Sequence, residues 1–236
     1  VISAGFKETD EAGAALEKEL AAKVKAYGMR CVGPNCLGVV NTDPAVRMDG
    51  CFAESLPQRG DIGFVSQSGA LGGGILNILK DLNIGFSQFI SIGNQADVNA
   101  ETAIEYWENV DDVRQILLYM ESIQNPANFR NLAARVSKKK PILALKSGRS
   151  AAGASAASSH TGSLAGSDRA ADALLRQSGV IREFSLEKLF ATAKVFANCP
   201  IPKGNRVAII TNSGGPGIMA TDAICEHGMV MAPITD

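Results

Sequence analysis

Two histidines occur in this sequence, and their surroundings differ sharply. His160 closes the run Ser147 to Ser159, which is Ser, Ala and Gly apart from Arg149, and Thr161-Gly162-Ser163 follow it. A stretch with so little apolar mass is poorly anchored and free to move. A neutral imidazole nitrogen is a good nucleophile towards phosphorus, so one chemistry for His160 is to carry a phosphoryl group. The other reading is a surface loop histidine with no task. His227 lies in Glu226-His227-Gly228, in the last turn of a helix before its glycine stop, where an imidazole caps carbonyls. It is read as structural.

Phosphate also needs a cradle. Open parallel sheets bind ligands outside the carboxyl ends of their strands, so the strand-to-helix turns are the places to look. The first is Val65-Ser66-Gln67-Ser68-Gly69-Ala70-Leu71. Its small residues let backbone N–H groups approach an anion at the positive end of the following helix. Ser68 as an ordinary N-cap is the alternative. The second turn, Gly93-Asn94-Gln95-Ala96-Asp97-Val98-Asn99, gathers polar side chains, for which Asx-turn and capping roles suffice. The third, Thr211-Asn212-Ser213-Gly214-Gly215-Pro216-Gly217, repeats the strand–glycine–helix pattern. Pro216 interrupts any G-x-G-x-x-G, and no Walker lysine follows.

The elements that must position these turns alternate along the chain. Short apolar runs rich in β-branched residues alternate with amphipathic stretches, the pattern of βαβ units on a parallel sheet. A helix is expected over 11–27, with Leu16, Leu20, Val24 and Tyr27 on one stripe and Gly28 as its stop. A strand is expected at Arg30–Val32, then the turn-rich Gly33-Pro34-Asn35-Cys36-Leu37-Gly38. Beyond a polar link come strands at Ile62–Val65, Phe86–Ile92, Ile116–Met120, Ile142–Leu145 and Val180-Ile181. Helices are expected over 69–82, 99–108, 126–137, 168–178 and 185–197. Five strands with crossover helices predict a flavodoxin-like doubly wound domain. From Pro200 another unit starts, with a strand over Arg206–Thr211 and a helix over 218–227.

Bulk properties narrow the function. Charge is nearly balanced, 23 basic against 24 acidic residues, which leaves no electrostatic footprint for nucleic acid. Lys138-Lys139-Lys140 reads as a helix end rather than a membrane patch. Five cysteines without a C-x-x-C pair argue against a disulfide framework or a zinc site, so no metal ligand is assigned and a cytoplasmic location is expected. No run is long enough for a membrane span. The opening Val1-Ile2-Ser3 and the closing Ala232 to Asp236 read as cuts through a longer protein.

Taken in order, Ser3-Ala4-Gly5-Phe6, Gly33-Pro34-Asn35-Cys36-Leu37-Gly38, Ser66-Gln67-Ser68-Gly69, Gly93-Asn94 with Asp97-Val98, Tyr119-Met120-Glu121, Lys146-Ser147-Gly148-Arg149 and Ser159-His160-Thr161-Gly162-Ser163 resemble the α-type part of the NDP-forming acyl-CoA synthetases, the superfamily of succinyl-CoA synthetase and ADP-forming acetyl-CoA synthetase. The resemblance covers nearly the whole chain and leans to the ADP-forming acetyl-CoA type. It implies that His160 is the phosphohistidine and Glu121 the carboxylate that partners it. It places phosphate on Ser68, Gly69, Ala70 and Gly162, and CoA or the acyl group near Asn35, Cys36 and Asn94. It implies an acid–thiol ligase that joins an acid to CoA at the expense of ATP, with ATP or ADP and Mg²⁺ bound by an ATP-grasp subunit or domain outside this chain, in an oligomer. By itself the piece is expected to be inactive. The implied domains are 1–55, the end of a Rossmann-like CoA-binding domain; 56–200, the flavodoxin-like domain with the phosphohistidine loop; and 201–236, the start of a second flavodoxin-like domain. A competing reading is an acyl-CoA-sensing region of a protein lysine acetyltransferase, where the phosphorylated histidine is often lost. The presence of both His160 and Glu121 speaks against it.

Overall fold

The computed structural model describes residues 1–155 and 167–234. Its strands are β1 (Gly38–Asn41), β2 (Met48–Cys51), β3 (Arg59–Ser66), β4 (Phe86–Ser91), β5 (Gln115–Met120), β6 (Ile142–Lys146) and β7 (Ile181–Glu183). Between them run helices α1 (Glu11–Ala26), α2 (Gly69–Leu82), α3 (Ala100–Trp107), α4 (Pro126–Val136), α5 (Asp168–Gln177) and α6 (Leu186–Asn198). The strands form one sheet in the order β2-β1-β4-β3-β5-β6-β7. Strands β3 to β7 are mutually parallel, whereas β1 is antiparallel to both β2 and β4. Counting from β3, the parallel order is 2-1-3-4-5, which is the flavodoxin-like winding expected from the alternation.

Both faces of the sheet are covered, which is why its strands are apolar on successive residues rather than alternate ones. On one face Ile116, Leu118 and Met120 of β5 pack with Ile104 and Trp107 of α3, Phe129 and Val136 of α4, and Leu175 of α5. On the other, Phe64 of β3 and Leu143 of β6 pack with Leu76 and Leu79 of α2 and Phe190 of α6. Each such large side chain, fully buried, contributes about 1.5–3 kcal/mol before conformational entropy is charged. Trp107 also keeps its indole N–H satisfied, donating to Gln88 Oε1 at 2.8 Å. The helix starts follow from local chemistry. Asn99 and Thr102 form a reciprocal capping box on α3, and Asn125 caps α4 ahead of Pro126.

Several expectations are corrected. Arg30–Val32 is not a strand; it is held by the 94–98 turn, through Val98 N–H to Cys31 O and Ala96 N–H to Gly33 O, both 3.0 Å. The sheet instead takes in the short β1 and β2, whose four residues each are too few to show a period. On α1 the buried positions are Gly13, Glu17 and Val24, while Leu16 and Tyr27 are exposed. Polar contacts chose this face: Glu17 pairs with Lys7 at 3.0 Å and accepts from Asn94 Nδ2 at 2.8 Å.

Val1–Asn198 is one compact unit and the residues from Cys199 onward a second. In the second, β8 (Arg206–Val207) and β9 (Val230–Met231) pair in parallel around α7 (Gly214–Glu226). The strand is shorter than the expected 206–211. The helix starts four residues before the expected 218, because a proline in the first turn lacks only an N–H that would have had no intrahelical acceptor. Among the described residues no helix is long and apolar enough to cross a membrane.

Candidate functional site

Strand order reverses between β3 and β5, so their carboxyl ends flank a crevice. The α2 turn lies on one side of it. Ser66 is fully buried and its Oγ donates to Ser68 O at 2.6 Å, which folds the chain sharply out of β3. Ser68 then caps α2, its Oγ accepting from Leu71 N–H at 3.3 Å. Helix geometry leaves the first N–H groups of α2, at Gly69 and Ala70, without intrahelical acceptors. Ser68 and Gly69 are half-buried and Ala70 is exposed, so the turn is accessible to a ligand. A structural cap and an anion cradle coexist here, since capping uses Ser68 Oγ and leaves those N–H groups.

The 33–38 turn is laid directly against this one. Leu37 N–H donates to Ser91 Oγ at the end of β4 at 2.9 Å, and a side-chain carbon added at Gly69 would come within 3.3 Å of Leu37 N. Gly93 (φ 51°) lets the next turn pass under the same loop, where a Cβ would meet Pro34 O at 2.2 Å and Asn35 O at 2.4 Å. Asn35 is half-buried, with its N–H donating to Ser3 O at 2.9 Å and its Nδ2 reaching Asn94 Oδ1 at 3.4 Å. Asn94 is buried, and its Nδ2 donates to both Glu8 and Glu17. It ties the N-terminal segment to the site. Cys36 is buried, and burial pushes its thiol above the ordinary range, so it is a neutral thiol rather than a thiolate at neutral pH.

Opposite α2, Glu121 follows β5 and is buried. Its backbone N–H donates to Gln67 Oε1 at 2.6 Å, and that oxygen also accepts from Ser122 N–H at 3.1 Å. Next in the sheet, Lys146 ends β6, paired in register with Met120. Burial pushes its ammonium below the ordinary lysine range, with Asp168 and Glu121 pulling the other way. It lines a cavity of about 190 Å³ with Ser122, Ile123, Pro126, Ala171 and Leu174. Gln67 and Lys146 belong to the Ser66–Gly69 and Lys146–Arg149 motifs, whose residue types alone point to no role for either side chain. Their significance lies in what they face across strand ends, which no local signal reports.

The structure therefore gathers Asn35, Cys36, Ser68, Gly69, Ala70, Asn94 and, through Gln67, Glu121 at the carboxyl ends of the central strands. His160 and Gly162 lie outside the described residues.

The family model of the succinyl-CoA ligase like flavodoxin domain matches residues 59–196. The α subunit of an ADP-forming acetate–CoA ligase II of Pyrococcus furiosus is 44% identical over 236 residues, all of this chain and 51% of that protein. An ADP-forming 4-hydroxybutyrate–CoA ligase of Nitrosopumilus maritimus is 42% identical, covering 100% of this chain and 34% of the relative. Among solved structures, the dinucleotide forming acetyl-coenzyme A synthetase 1 of Ca. Korarchaeum cryptofilum, in complex with phosphate and ADP, superposes with a TM-score of 0.91 at 36% identity, over 100% of this chain and 50% of that one. The chain thus spans between a third and about half of the relatives it matches.

Proposed function

The chain belongs to the succinyl-CoA ligase like flavodoxin family, and on that premise we propose that it is the α-type part of an ADP-forming acyl-CoA synthetase working through a phosphohistidine at His160. The observation that carries this reading is the meeting of the α2 N-terminus and Glu121 at the β3–β5 switch point. Oriented N–H groups at a helix start stabilise an anion, and a carboxylate nearby is the group that orients an imidazole.

In this reading an imidazole nitrogen of His160 attacks the γ-phosphorus of ATP and ADP leaves. Glu121 accepts the other ring N–H, which fixes the tautomer, leaves the attacking nitrogen free, and stabilises the positive charge that develops. The α2 N–H groups at Gly69 and Ala70, with Ser68, receive the phosphoryl oxygens. The acid's carboxylate then takes the phosphoryl group from His160 to give an acyl phosphate. Attack by the CoA sulfur on the acyl carbon expels phosphate and yields the thioester, the thiol proton being lost. Asn35 and Cys36 line the side from which CoA and the acyl group enter, with Asn94 behind them. Residues 1–55 supply the end of a CoA-binding domain and 201–236 the beginning of a further flavodoxin-like domain. ATP, Mg²⁺ and ADP are held by an ATP-grasp partner within a cytoplasmic oligomer.

The test uses the full-length protein with its nucleotide-binding part and ATP radiolabelled on the γ-phosphate. Acid-labile, base-stable label on the chain is expected, absent from His160→Ala and discharged by acid plus CoA. Label that persists in His160→Ala sinks the assignment.

A further inference from the structure

At the end of β3 the ladder to β5 continues past its last register pair, Ser66 opposite Tyr119, through Gln67 N–H to Tyr119 O at 3.1 Å. There the two backbones part, one turning into α2 and the other into the segment leading to α4. The buried side chain of Gln67 replaces the lost backbone partner. Its Oε1 accepts from Glu121 N–H at 2.6 Å and Ser122 N–H at 3.1 Å, and its Nε2 donates to Ser122 Oγ at 2.9 Å. Two N–H donors on one side fix which end of the amide is oxygen, so the orientation is determined by its partners.

Gln67 immediately precedes Ser68-Gly69-Ala70, while its side chain holds the backbone of Glu121. One residue therefore spans the two halves of the site, and its carboxamide sets the separation between them. We infer that Gln67 is a positioning residue for phosphoryl transfer, fixing the backbone from which the Glu121 side chain springs relative to the anion cradle of α2. This deepens the reading above and rests on it. A buried N–H without its acceptor is costly, so removal of the amide lets residues 121–122 relax towards other partners. A displacement of about 1 Å in such a constellation slows the chemical step by roughly 10²-fold.

The experiment measures the single-turnover rate of His160 labelling from γ-labelled ATP in the full-length protein with its nucleotide-binding part. Gln67→Leu and Gln67→Glu are compared with the unsubstituted protein across pH. Gln67→Leu is expected to label roughly 10- to 100-fold more slowly. Gln67→Glu keeps an acceptor for both N–H groups and receives the Ser122 hydroxyl, so it recovers most of the rate at alkaline pH. A second carboxylate beside Glu121 disfavours ionisation of the pair, so the acid limb of its pH–rate profile moves to higher pH. Wild-type labelling in Gln67→Leu overturns the inference and leaves the phosphohistidine reading standing. Equal slowing in both variants, with an unmoved pH profile, assigns Gln67 to packing alone and also overturns it. Should Gln67→Leu not fold, the Gln67→Glu profile decides by itself. An unlabelled unsubstituted protein removes the underlying reading, and the inference with it.

Discussion

Ser66-Gln67-Ser68-Gly69-Ala70 after β3 and Thr211-Asn212-Ser213-Gly214-Gly215 after β8 are composed alike: small polar residues, then glycine, then a helix. Their outcomes differ. After β3, Ser66 and Gln67 are buried, Ser68 caps α2, and the turn is braced by the 33–38 loop and by Glu121. After β8, among the described residues, Ser213 makes no side-chain cap to α7 and Thr211 Oγ1 bonds within the turn to Ser213. Within the second unit the described strands are two residues long and make a two-stranded pair. A glycine turn becomes a cradle when neighbouring strand ends close around it, and the first turn sits between β4 and β5, which supply that closure.

The largest expected effect breaks the braced side of this comparison. Glu121→Gln should slow His160 labelling by about 10²–10⁴-fold, because the amide no longer stabilises the cationic imidazole. Retained chemical stability in urea would show that the fold is intact, and full labelling would count against the pairing.

Next comes glycine against glycine. Gly93→Ala has to find room against two carbonyl oxygens and hold a positive φ, for a loss of roughly 2–4 kcal/mol in urea denaturation. Gly215→Ala, within α7 and with nothing within 4 Å of the added carbon, should instead gain about 0.5–1 kcal/mol. Equal effects at the two sites would show that the 33–38 and 93–99 loops around the first turn are packed no more tightly than the start of α7.

Asp97 offers a test by pH. The Arg30 guanidinium beside it, together with Cys31 N–H at 2.7 Å, holds its carboxyl below the ordinary 3.8, with partial burial opposing. A depressed carboxylate pKa stabilises the fold fully above 3.8, and the contribution is lost as pH falls through the still lower folded value. Asp97→Asn should therefore cost about 1–2 kcal/mol at pH 7, measured in urea, and the gap to the unsubstituted protein should narrow at about pH 3. A gap that is constant with pH would mean that the carboxylate charge is not what binds Arg30–Val32 to the site. The smallest effect is at the caps. Ser68→Ala should cost about 1 kcal/mol, while Ser213→Ala stays within about 0.5 kcal/mol.

Much of this architecture could be read locally. Helices expected over 69–82, 126–137 and 168–178 are found at Gly69–Leu82, Pro126–Val136 and Asp168–Gln177, since each carries a long apolar stripe and a polar start. The central strands were legible for the same reason. Where burial is decided by polar partners, the reading failed: Glu17 rather than Leu16 faces inward on α1, because Lys7 and Asn94 are there to receive it.

The residue order by itself named the candidates His160, Glu121 and Ser68 with its glycine, and determined the alternation that builds a parallel sheet. Only the tertiary structure decided which of these meet. Gln67 and Glu121 are joined by a hydrogen bond across 54 residues of sequence, and Asn94 reaches Glu17 across 77. Such pairings depend on strand order and on how the loops leave their strands. Those are settled by burying both faces of the sheet together, not by the local preferences of any one segment.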